Sequence, residues 1–172
     1  MSSKGNLPKL VVFDLDYTLW PFWVDTHVTP PFRKSNGKVV DMTGATIRFY
    51  PEVPKVLQKL SDMNISIGVA SRTTEIQGAE QLCELFDWNK YFKYKEIYAG
   101  SKVAHFNQFK KYTGFEFEDM LFFDDEERNI RDLNKINVTS ILVSNGMSVK
   151  LLEEGLQTFS NKKFNTLAIS CR

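Results

Sequence analysis

Five short apolar runs, none of them alternating with polar residues, constrain this chain more than any other feature. They are KLVVFDL (Lys9 to Leu15), ISIGVAS (Ile65 to Ser71), KEIYA (Lys95 to Ala99), MLFFDD (Met120 to Asp125) and TSILVS (Thr139 to Ser144). A strand with one wet face alternates apolar and polar residues, so unbroken runs of this length belong to strands covered on both faces. Helical patterns lie between and after them: EVPKVLQKLSDM, EIQGAEQLCELFDW, SKVAHFNQFKKYTG with its Gly stop, ERNIRDLNKIN and SVKLLEEGLQTF. Strand and helix alternate, which predicts an α/β domain built on a parallel sheet of about five strands with helices on both faces. The 172 residues suit one domain, read as 1–172 with its core at about 7–160 and a loosely held tail at 161–172.

One segment breaks the rhythm. Trp20 to Tyr50 holds three prolines, an SNG turn signal and two glycines. It is too short for a second domain and reads as a small flap, with GKVVDM and ATIRFY as the arms of a hairpin. The net charge of +1 gives no field that favours nucleic acid or an anionic membrane. No apolar run reaches the roughly 20 residues of a membrane span, and the MSSKGNLPK start carries no apolar leader. Two cysteines, Cys83 and Cys171, form no disulfide framework or zinc pattern, which points to a reducing, cytoplasmic setting. The chain is expected to be a monomer.

Open parallel sheets bind ligands beyond the carboxyl ends of their strands. The first run ends in Asp14 and Asp16, the second in Ser71 followed by Arg72, and the fourth in Asp124 and Asp125. After the third run comes AGSK, where Lys102 opens a helix. Four ionised carboxylates at one edge repel strongly. A hard divalent cation relieves that repulsion, and magnesium suits a few carboxylates joined by water and a substrate phosphate. Lys102 adds a point charge that holds a phosphate oxygen or pins a carboxylate. An aspartate in such a site can attack phosphorus, and a second carboxylate can give a proton to the leaving alcohol and later take one from water.

DLDYT, the serine of ASRT, GSK and FFDDE, in that order, resemble the four motifs of the haloacid dehalogenase-like phosphatases. FDLDYTLWPFWVDTHV and YPEVPKVL narrow the resemblance to the magnesium-dependent phosphatase-1 family, from about Leu7 to about Phe159. The resemblance implies a Rossmann-like fold, a Mg2+ cofactor and an aspartyl-phosphate intermediate. Asp14 then matches the nucleophile, and Asp16 the general acid/base whose backbone carbonyl meets the metal. Ser71 and Lys102 match the phosphoryl-binding pair. Asp125 matches the direct metal ligand, with Asp124 acting through water or Lys102. Arg72 either contacts the substrate phosphate or pairs with Glu75. Only about 30 residues separate Ser71 from Lys102, room for one helix and one strand, so no large cap domain is expected and the site is open. The family is associated with protein phosphotyrosine and with sugar phosphates, including phosphorylated glycation products. Trp20, Phe22 and Trp23, just past the first motif, are candidates for an apolar wall against an aromatic leaving group, with Trp20 foremost.

Each residue also has a plainer reading. The D-x-D alone is a solvated strand end as often as a site. Asp124 or Asp125 caps the next helix, Lys102 is a solvated helix start, and the three aromatics are core. His105, one turn past Lys102, is structural or faces the site. Cys83 lies in an amphipathic helix, with no anion-cradling loop after it. A receiver-type signalling domain uses similar residues, but with the acidic pair first and the phosphoryl-accepting aspartate at mid-chain. Carbon–halogen hydrolysis does not need the second aspartate. A catalytically silent interaction module on the same fold is the remaining alternative.

Overall fold

The computed structural model describes residues 6–171. Its strands are β1 (Leu10–Phe13), β2 (Arg33–Ser35), β3 (Lys38–Val40), β4 (Ser66–Ser71), β5 (Phe92–Ile97), β6 (Met120–Asp124) and β7 (Thr139–Leu142). The helices are α1 (Val53–Asp62), α2 (Ile76–Leu85), α3 (Lys102–Thr113), α4 (Glu127–Lys135) and α5 (Val149–Ser170). Five strands form one fully parallel sheet in the order β5-β4-β1-β6-β7. The expected architecture is the observed one.

The unbroken apolar runs have the meaning their pattern implies. In β1, Val11 and Phe13 join a core with α1, α2 and α5 on one face, while Leu10 and Val12 join Phe106, Phe109 and Leu133 of α3 and α4 on the other. Neighbouring β6 divides the same way, Leu121 and Phe123 against Met120 and Phe122. Gly155 lets α5 come close: a Cβ there would sit 2.5 Å from the Phe123 ring. That contact offsets the roughly 1 kcal/mol that glycine costs inside a helix.

Three elements differ from expectation. β5 begins at Phe92 rather than Lys95 and ends at Ile97, because a register shift at Ile67–Gly68 pairs Ile67 with Phe92. The flap hairpin is β2 against β3, turning at Asn36 and Gly37 with φ of 51° and 78°. Two positive-φ residues make the turn whose twist suits a hairpin. The expected second arm keeps only an isolated Val40–Thr46 bridge. There the buried Asp41 carboxylate takes the amides of Thr29, Thr43 and Ala45 and closes the turn around two backbone bonds, Asp41 N to Ala45 O at 2.9 Å and Ile47 N to Val39 O at 2.8 Å. Finally, α5 continues through the segment read as a loose tail and ends at Ser170. No Gly or Pro interrupts residues 161–170, and extending a formed helix is easy. Lys163 ties this stretch to Asp119 at 2.7 Å.

Candidate active site

The chain runs outward from β1 to β4 and β5, then returns to lay β6 and β7 on the other side. The crevice at that reversal opens at the carboxyl end of β1. Asp14 follows β1 directly, Ser71 ends β4, Asp124 ends β6 and Lys102 opens α3. Asp14, Asp16, Ser71, Arg72, Lys102 and Asp125 line one cavity of about 230 Å3.

Its floor is a buried charge cluster. Lys102 is 2% exposed. Its ammonium lies 2.9 Å from Asp14 Oδ1 and 3.2 Å from Asp124 Oδ2, and it also donates to the Ala70 carbonyl. A lysine at the first turn of a helix opposes the helix dipole; here two carboxylates justify it. Burial opposes the charge on Lys102, yet Asp14 and Asp124 hold its pKa above the usual lysine value. Asp124 is fully buried, and both its oxygens are committed. Oδ1 accepts from the Glu126 amide at 2.9 Å, and Oδ2 from Asn129 Nδ2 at 2.9 Å as well as facing Lys102. Asp14 Oδ2 accepts from Thr18 Oγ1 at 3.3 Å.

Asp14, Asp124 and Asp125 each bring a ligand oxygen within 4.8 Å of the others. One lysine does not balance three carboxylates. Burial first, and then Asp124, pushes Asp14 well above the usual carboxylate range; burial, with Asp124 beside it, pushes Asp125 up to about 6. The cluster therefore draws in protons unless another cation is present. Hard oxygen donors short of positive charge, opening on a cavity, fit a divalent ion such as magnesium.

Asp16 stands in a different setting. Tyr17 adopts a left-handed φ of 59°, a conformation that costs about 1–3 kcal/mol outside glycine. The turn is secured by Tyr17 N to Trp20 O at 2.7 Å and Leu19 N to Leu15 O at 2.8 Å. Asp16 Oδ1 accepts from Trp20 Nε1 at 2.7 Å and from the Val24 amide at 3.1 Å. Burial raises the Asp16 pKa, while these two donors pull against it.

The structure corrects the aromatic wall. Trp20 has no exposed surface and cannot touch a substrate. It is stacked between Phe22, also buried, and Trp88. Trp23 is the residue at the mouth, 49% exposed, stacked on His27 and edge-on to Tyr17. Arg72 lines the cavity without an ion pair among the described residues, and Glu75 instead accepts from the Gly78 amide at the head of α2. His105 does not face the cavity. It is fully buried against the carbonyls of Ser101, Ser71 and Tyr98, and burial lowers its pKa, so it braces the end of β4. Burial pushes the Cys83 thiol up to about 12, which leaves it inert.

Thr18 and Thr73 close the DLDYT and ASRT motifs and join the site in roles the sequence does not assign, and Asn129 joins it from outside the motifs. Thr73 offers its amide to Ser71 Oγ at 3.3 Å. Thr18 is marked by its place in DLDYT, whereas Asn129, five residues past Asp124, has only its first-helix-turn spacing, a signal shared by many surface residues.

A family model described as Acid Phosphatase matches residues 6–162. The chain belongs to that family. It is 54% identical over 167 residues to human magnesium-dependent phosphatase 1, covering 96% of this chain and 95% of that protein. A HAD-like hydrolase superfamily protein of Schizosaccharomyces pombe is 41% identical over 151 residues, covering 81% and 87%. The N-terminal part of a Bacteroides fragilis protein, containing a phosphatase domain and solved with magnesium, shares the fold. Its TM-score is 0.59 at 18% identity, over 91% of this chain and 41% of its own. The family resemblance read from the motifs is thus borne out. Among the described residues no helix is long and apolar enough to cross a membrane.

Proposed function

We propose that this acid phosphatase family member is a magnesium-dependent phosphomonoester hydrolase that works through an aspartyl-phosphate on Asp14, with phosphotyrosine proteins as its favoured substrates. One observation carries the chemistry: Asp14, clamped by Lys102, and Asp16, clear of that clamp, line the same cavity. Asp14 attacks phosphorus as Asp16 gives its proton to the leaving oxygen, and Asp16 then takes a proton from the water that cleaves the acyl-phosphate. Ser71 Oγ, accepting from Thr73, keeps its own proton for a phosphoryl oxygen. Lys102 supplies positive charge at the floor, and Arg72 reaches the phosphate from the rim. Asp14, Asp125 and the Asp16 carbonyl would hold magnesium, which draws charge from the phosphoryl oxygens when bound. Asp124 supports it through Lys102 and water. The 54% identity to a magnesium-dependent phosphatase supports this reading, and the intact D-x-D argues against a silent module.

Half-exposed Trp23 at the mouth supports an aromatic leaving group. A second reading, a sugar phosphate or fructosamine-phosphate substrate, draws on the polar remainder of the lining, where Asp25, Thr26, Glu126 and Asn129 can bond hydroxyls. Two unpaired cysteines suit a cytoplasmic setting. The test is phosphate release from a phosphotyrosine peptide and from a panel of sugar phosphates, with magnesium and with chelator. Magnesium-dependent release with the higher kcat/KM on the peptide is expected. Release that chelator leaves unchanged overturns the chemistry, and a preference for a sugar phosphate overturns the substrate class.

A further inference from the structure

Asp16 Oδ1 lies 2.7 Å from Trp20 Nε1 and 3.1 Å from the Val24 amide. Both groups only donate, so both need Oδ1 as an acceptor. Oδ2 has no hydrogen-bond partner among the described residues, and Asp16 lines the cavity. The two oxygens of one carboxyl therefore have different fates.

The Trp20 indole is not free to move. Its ring is parallel to Phe22 within 4° at 5.5 Å and to Trp88 within 11° at 6.1 Å, with Phe86 at 6.5 Å. Trp88 in turn meets Phe49 edge-on at 5.3 Å. Five aromatic rings thus aim one N–H at one carboxylate oxygen. A fully buried indole N–H needs a partner, and Asp16 is the partner it has.

We infer that Trp20 is a positioning residue: with the Val24 amide it fixes Oδ1 of Asp16 as an acceptor and so assigns Oδ2 as the atom that carries the proton. This rests on the reading of Asp16 as acid/base. As the Asp14 oxygen–phosphorus bond forms and the ester P–O bond breaks, the Oδ2 proton passes to the leaving oxygen. In the second step Oδ2 takes a proton from water as the water oxygen bonds to phosphorus and the Asp14 carboxylate leaves. Without the indole donor the carboxyl can rotate about its terminal torsion, which is broad and twofold, and the proton-bearing oxygen loses its aim.

The experiment measures kcat/KM for a series of aryl phosphates, from p-nitrophenyl to p-methoxyphenyl, which reports the step in which the phenol departs. A leaving group that is a good anion needs little protonation, and a poor one needs much. Trp20→Phe is expected to lower kcat/KM about threefold on p-nitrophenyl phosphate and about 50-fold on p-methoxyphenyl phosphate, part of what general acid catalysis supplies. Trp88→Phe disturbs the same stack but keeps the indole donor, so it should leave the dependence on leaving group as in the parent. Placing β-(3-benzothienyl)alanine at Trp20 keeps the ring shape and removes only the N–H, so it gives the answer where Trp20→Phe folds poorly. In an Asp16→Ala background the Trp20 change should add nothing. An equal loss across the series overturns the positioning role. Full activity in Asp14→Asn would instead overturn the aspartyl-phosphate reading, so the two failures are distinct.

Discussion

Asp14 and Asp16 are one residue apart in the chain and belong to two different regions of the molecule. Asp14 is held by distant residues: Lys102 lies 88 positions on, and the flanking strands β4 and β6 bring Ser71 and Asp124 to its sides. Asp16 is held by its own neighbourhood, Trp20 four and Val24 eight positions on. Around Asp14 the device is charge on charge, with Asp14 and Asp124 sharing one ammonium and Asp125 beside them. Around Asp16 it is an aromatic stack and two uncharged donors. Environment, not residue type, separates the roles proposed for two acids in one site. The charge cluster should therefore respond to mutation in both stability and rate, and the aromatic turn in a rate loss that grows as the leaving group becomes poorer.

The sharpest break is Asp14→Asn. Loss of the proposed attacking oxygen should lower phosphate release on the order of 10^4-fold or more, by analogy with other catalytic nucleophiles. The melting temperature should hold or rise, because a like charge leaves a crowded cluster; a calorimetric scan beside the assay checks both. Next is Lys102→Met, which strands two buried carboxylates. Urea unfolding should show a loss of about 3–5 kcal/mol, the usual cost of removing one partner from a buried ion pair. A loss under about 1 kcal/mol, the worth of an exposed pair, would mean that the cluster is better solvated than its burial indicates.

The third prediction concerns pH. Asp125 has its pKa raised to about 6 in the folded chain, above its unfolded value, and Asp14 is raised as well. A raised carboxyl contributes stability that is present at low pH and lost as pH climbs through the folded pKa. Metal-free protein should therefore melt at a lower temperature at about pH 7.5 than at about pH 5, on either side of that value. Asp125→Asn should flatten that slope, and added magnesium should raise the melting point at the higher pH in the parent but much less in the variant. The smallest effect is expected on the aromatic side. Trp23→Ala should raise KM for a phosphotyrosine peptide about three- to tenfold, matching the roughly 0.5–1.5 kcal/mol of an aromatic contact. An alkyl phosphate should be unaffected; equal changes on both would remove Trp23 from leaving-group recognition.

Much of the fold and of the site is legible in the residues alone. The apolar runs specify buried parallel strands, because only a strand covered on both faces can lack polar alternation. The strand-end acids, Ser71 and Lys102 follow, because a parallel sheet gathers its carboxyl ends along one edge. Two of the departures have a common source. Trp20, a candidate for the substrate wall, lies in the core. The flap hairpin turns at Asn36 and Gly37, ahead of its expected place, and Asp41 closes the later turn around the single Val40–Thr46 bridge. In both places a side chain bonds a nearby group, Trp20 to Asp16 and Asp41 to three amides, and hydropathy patterns carry no record of such bonds.

The sequence by itself determined the layers of this protein and named the candidates for its reactive groups, since periodicity and motif order are properties of the chain. Tertiary structure alone decided which oxygen faces what. Lys102 pins two carboxylates, Asp124 is saturated while Asp125 remains open to the cavity, and Trp23 rather than Trp20 stands at the mouth. Those outcomes depend on distances of a few ångströms between residues far apart in the chain, which packing sets and spacing does not encode.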